Sequence, residues 1–185
     1  YCSASDATIH LIEDVVLQSD MTGVTEFDIS HKLSVNLSTI KQIIANDIKI
    51  VSIKGRFIHQ DAFIDWNEGA ASMEDILEKL MQKNDGYVSA AQLYEYSRVE
   101  MNMFLNDNDI NDERSVYEFA YHLFHKASYH DKEYQFAGNT HISRASDAVL
   151  SSFDIVQKYA SDQGGVFAFK DLETYLLGLG IKVGN

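Results

Sequence analysis

The sequence predicts a mainly α-helical protein with short β-hairpins, laid out as tandem units. Three observations lead there. Apolar residues recur at helical spacing along most of the chain, glycine-bearing turns fall at three corresponding places, and short alternating runs fold back after a unit's third helix.

The repeat comes first because it organises every other element. Ile12, Val15 and Val16 lead to Gly23, Val24, Thr25 and Ile29; Ile76, Leu77, Leu80 and Met81 lead to Gly86, Val88, Ser89 and Leu93. A third copy runs from Ile155, Val156 and Tyr159 to Gly165, Phe167, Ala168 and Leu172. Each reads as an amphipathic helix, a glycine turn where the helix stops, an apolar residue and a second helix. Thr25 and Ser89 suit the N-cap of that second helix, whereas Ala168 has no oxygen to offer a free amide.

In the first unit Asn36 and Ser38 are placed to cap a third helix with Leu37, Ile40, Ile43, Ile44 and Ile48 on one face. Residues 49–60 then alternate. Ile50, Ser52 and Lys54 fall on one side, Val51, Ile53 and Gly55 on the other, and Phe57 continues the run, which predicts two strands around Lys54–Gly55. In the second unit a partly helical insertion over 101–111 precedes a helix opening at Asp112–Glu113, with Val116, Phe119, Ala120, Leu123 and Phe124 on one face. Strands are predicted over 132–136 and 140–143, around Gly138–Asn139. The third copy has a helix from 170 to about 177 and no room for a third helix and hairpin. The expected units are 1–65, 66–145 and 146–185, the last a partial helix-turn-helix or cap. Phe63–Trp66 is expected to stitch the first to the second, and most phenylalanines, Phe27 and Phe153 among them, are expected in the core.

Three helices and a hairpin within about 65 residues resemble the winged helix-turn-helix family. The resemblance covers most of 5–143 and half of the remainder, and rests on periodicity and turns rather than on fixed chemical residues. It implies that a unit's third helix enters the DNA major groove while the hairpin touches the backbone. Carried onto the first unit, it makes 36–46 the recognition helix, with Asn36, Ser38, Thr39, Lys41 and Gln42 facing bases or phosphates. Lys49, Lys54 and Arg56 would supply hairpin contacts. Over 32–56, Lys32 joins those four cations against Asp47 alone, inside a chain whose 28 acidic and 15 basic side chains leave a net charge of −13. The plainer reading is that any solvated helix shows such residues. In the second unit Asp112, Glu113 and Glu118 suit a helix start but repel phosphates, so 66–145 is expected to bind protein or self-associate, with Tyr87, Tyr94 and Tyr96 as interface candidates.

Metal and catalytic patterns are weaker. Asp107, Asp109, Asn111 and Glu118 match calcium-loop positions, but Asp112 stands where the loop needs Gly and Arg114 where it needs an apolar residue. A polar linker with Asp112 as a helix cap explains the same residues. Glu118, His122 and His125 share a helical face near His130 and His141, yet no closed zinc set emerges and Cys2 is distant. No nucleophile elbow is present, Gly164–Gly165 lacks the following Lys and Ser/Thr of a phosphate loop, and 177–180 offers two glycines without a strand-turn-helix context. A non-enzyme without cofactor is expected.

One cysteine excludes an internal disulfide, and the 145–150 apolar run, interrupted by Asp147, is too short for a membrane span. A cytoplasmic setting without a membrane partner is expected. The chain opens on Tyr1 rather than Met, and a longer parent protein is expected. The leading expectation is a nucleic-acid-associated or regulatory module, its first unit on double-stranded DNA through 32–56 and its acidic units on protein. The alternative is an adaptor fragment of a larger protein with no DNA contact, which the net charge favours.

Overall fold

The computed structural model describes residues 6–84, 86–132, 134–138, 140–144 and 152–181; Cys2, Asn139 and the 145–150 run lie outside them. The chain is mainly helical, with two small antiparallel sheets among the described residues.

Helices α1 (Asp6–Leu17), α2 (Glu26–Leu33) and α3 (Leu37–Asn46) bury Ile12, Val16, Ile29 and Ile40 against one another. Their starts are fixed locally. Thr25 and Asp28 form a reciprocal capping box, and the Asn36 side chain accepts the Thr39 amide at 2.8 Å. Strands β1 (Ile50–Ile53) and β2 (Arg56–His59) meet at Lys54 and Gly55, whose φ values of 52° and 74° are what a tight two-residue hairpin demands. Val24 bridges Phe57 antiparallel, so the segment between α1 and α2 sits beside the hairpin's second strand.

The same wiring follows in α4 (Trp66–Lys83), β3 (Tyr87–Ser89), α5 (Ala90–Glu100), α7 (Glu113–Tyr121), β4 (Tyr134–Ala137) and β5 (His141–Arg144). The short helix α6 (Asn102–Asp107) is the insertion. The strand order β3-β5-β4 again sets the strand after the first helix beside the hairpin's second strand. Ser89 and Gln92 repeat the capping box. Helices α8 (Ser152–Asp162) and α9 (Phe169–Gly178) close Ile155, Leu172, Leu176 and Leu179 over Tyr87. Ala168, at the start of α9, makes no side-chain cap bond. No helix among the described residues is long and apolar enough to cross a membrane.

Several expectations shift. The two sides of β1 face different cores. Ile50 enters the core of α1–α3, while Val51 and Ile53 join the core of α4, α5 and α7. Phe27 and Phe153 are 65% and 67% exposed. Each lies two residues before the inward Ile29 or Ile155, about 200° around the helix, and so faces away. Ile48 is exposed because α3 stops at Asn46, and the fourth strand starts at Tyr134 because Lys132 still closes a turn onto Tyr129.

Aromatic rings join the two halves. Phe63 and Trp66 lie 6.1 and 5.5 Å from Phe119, ring centre to ring centre. Phe104 adds a fourth ring, and Gly69 leaves the space it occupies, since a Cβ there would collide with the ring. Gly69→Ala is therefore expected to destabilise the fold by about 1–3 kcal/mol, read as a drop in Tm; an unchanged melt would contradict this close approach.

Candidate nucleic-acid interface

Burial of Ile40, Ile43 and Ile44 turns Ser38, Lys41 and Gln42 of α3 toward solvent, while Thr39 is half-buried. These are the expected reading positions, but part of their hydrogen-bonding capacity is already used. The Asn36 amide oxygen accepts both the Thr39 N–H and the Ser38 hydroxyl, the latter at 2.7 Å. Lys41, still 63% exposed, lies 3.4 Å from Glu26, and Lys49 lies 3.8 Å from Glu13.

The hairpin residues are engaged more firmly. Arg56 donates to the Thr22 carbonyl at 2.7 Å. The Lys54 amide donates to Glu118 at 2.6 Å and its ammonium pairs with Asp112, so the hairpin tip rests on the start of α7. Burial works to raise the Asp112 carboxyl, but hydrogen bonds from Lys54 and Ser115 outweigh it and hold the group below the usual carboxylate range. The structure brings the α3 residues onto one solvent face. It ties the surrounding cations to α1, α2, the Thr22 turn and α7.

The calcium candidates disperse into other roles. Asp112 caps α7, Glu118 also accepts from Arg114 at 2.8 Å, and Asn111 donates to Asp109 at 3.0 Å. Asp107 ends α6. His125 is exposed between the Tyr121 and Phe136 rings, whereas His122 is buried. Among the described residues no three His, Cys, Asp or Glu side chains converge on a position that could hold a metal.

A π-helical turn, His122–Lys126, which helical periodicity does not mark, follows α7. It aims Lys126 across the molecule, where the ammonium donates 2.7 Å bonds to the Ile44 and Ile50 carbonyls, at the end of α3 and the start of β1. Burial pushes Lys126 down to about 8, opposed by Asp47. Burial, helped by the Lys126 charge and opposed by the Ile48 carbonyl, pushes His122 down to about 4. Trp66 packs edge-on against the His122 ring.

Compared with known proteins, the chain matches no family model, no curated protein and no solved structure.

His122 sets a pH dependence with a definite sign. Its imidazole binds a proton near 6.5 when unfolded and near 4 when folded, so the unfolded state binds more protons between those values. Stability is expected to fall as pH drops from 6.5 to 4, by about 2–3 kcal/mol at the acid end. His122→Leu should flatten the Tm slope over that window whatever its effect at pH 7. An equal slope in both proteins would contradict the burial of a neutral imidazole.

Proposed function

We propose that the chain is a tandem winged-helix module with a partial third unit, acting as a non-catalytic, protein-contacting adaptor without cofactor. Three helices and a hairpin occur twice, and in each case the segment between the first two helices pairs with the hairpin's second strand, through the single Val24–Phe57 bridge in the first and through β3 in the second, which supports the fold reading. A cytoplasmic setting accords with a single cysteine.

One observation carries the choice of partner. The cations expected to grip phosphates are engaged within the chain: Lys41, Lys49 and Lys54 with carboxylates, and Arg56 with a carbonyl. Swinging them onto DNA would leave Glu26, Glu13 and Asp112 facing a polyanion. A net charge of −13 adds long-range repulsion. The second reading, DNA contact through α3, is favoured by the shared solvent face of Ser38, Lys41 and Gln42.

Fluorescence anisotropy with a mixed-sequence duplex separates the two. The adaptor reading predicts no binding at about 100 μM protein and about 150 mM salt, and no difference for Lys41→Glu with Arg56→Glu. Duplex binding that this double variant abolishes would overturn it in favour of DNA contact.

A further inference from the structure

We infer that the groove between the start of α4 and the α5–α6 elbow seats a short, Lys/Arg-flanked apolar segment of a partner protein. This rests on the protein-contact reading and names its site and partner chemistry.

The groove has a volume of about 290 Å³, room for one or two side chains rather than a folded element. Phe104 and Met101 form its buried floor. Its apolar walls stand open: Val99 is 73% and Met103 79% exposed, and Ile64 is exposed beside them. Apolar groups gathered around one concavity mark a contact surface in a way that scattered ones do not. Met103 can repack around differently shaped guests.

The rim supplies the charge. Asp65, Glu68, Glu100 and Asp107 line the same groove, and none of these carboxylates makes an ion pair or side-chain hydrogen bond among the described residues. Glu13, Glu26, Glu74, Glu78, Asp112 and Glu118 have cationic partners, whereas Asp171 and Glu173 on α9 have none among the described residues but stand beside no such apolar opening. The sequence neighbour Arg98 turns instead to Glu95, at 3.1 Å. An apolar opening ringed by uncompensated negative charge is complementary to a guest with an apolar centre and cationic flanks.

The frame is set in advance. Asn108 is buried; it accepts the Ile64 amide at 2.7 Å and donates to the Ile64 and Phe104 carbonyls at 3.0 and 2.9 Å. These bonds pin the entry of α4 to α6, so binding need not order the groove walls.

The test titrates the protein with a fluorescent Lys-rich peptide carrying two leucines one helical turn apart, and with its serine-for-leucine counterpart. The leucine peptide should bind at least about tenfold more tightly than the serine peptide. Val99→Ser with Met103→Ser should weaken it about tenfold, and Glu68→Gln with Glu100→Gln should weaken it similarly. Asp171→Asn with Glu173→Gln on α9 removes the same charge away from the groove and should leave affinity within about twofold. All the altered side chains reach solvent, and a thermal melt confirms that each variant is folded. Equal binding of both peptides, or equal loss from groove and α9 variants, would reduce the effect to general charge attraction and overturn the groove. A duplex arm in the same titration keeps the outcomes apart, because duplex binding that Lys41→Glu with Arg56→Glu abolishes sinks the adaptor reading whatever the peptides do.

Discussion

The architecture depends on a seam in which strand β1 is shared by two cores. Ile50 points into the bundle of α1–α3, and Val51 and Ile53 point into the assembly of α4, α5 and α7. A four-residue strand whose faces serve different cores cannot move with one half and leave the other. The polar groups at the seam are committed as well. Lys126 satisfies carbonyls at the end of α3 and the start of β1, and Lys54 reaches back to α7. Either ammonium, stripped of these partners, would leave buried or half-buried polar atoms without compensation. The seam therefore holds the halves by shape and by hydrogen bonding together.

That commitment shapes what the surface has left to offer. The hairpin tip lies on α7, where the Lys54 ammonium pairs with Asp112, and Arg56 donates to the Thr22 carbonyl. Around the α4–α6 groove, carboxylates without cationic partners among the described residues surround apolar side chains. Docking of the first hairpin on the second helical group engages Lys54, while Lys41, Lys49 and Arg56 are held within the first unit by Glu26, Glu13 and the Thr22 carbonyl.

Features decided by near neighbours were readable in the sequence. Gly23, Gly86 and Gly165 all adopt positive φ, Thr25 and Ser89 cap, and Lys54–Gly55 turns the hairpin, because each outcome depends on a few adjacent residues. The seam was not readable. Lys126 meets carbonyls 76 and 82 positions away, and its helix ends in a π turn that a 3.6-residue period does not mark. Nothing near β1 in the sequence announces that its two faces serve different cores. The candidate site divided in the same way. The apolar face of α3 followed from periodicity and its reading residues from the family resemblance, while the partners of Lys41, Lys49, Lys54 and Arg56, and the groove at Val99 and Met103, came from residues that meet only in the folded chain.

The rigidity of the seam is most directly measured by electron paramagnetic resonance between nitroxides on exposed Gln42 of α3 and Gln82 of α4, in a Cys2→Ser background. A locked seam predicts a single narrow distance distribution, unchanged between low and high salt. A broad or two-peaked distribution would contradict it, showing halves that swing about residues 60–65 and a hairpin that leaves α7.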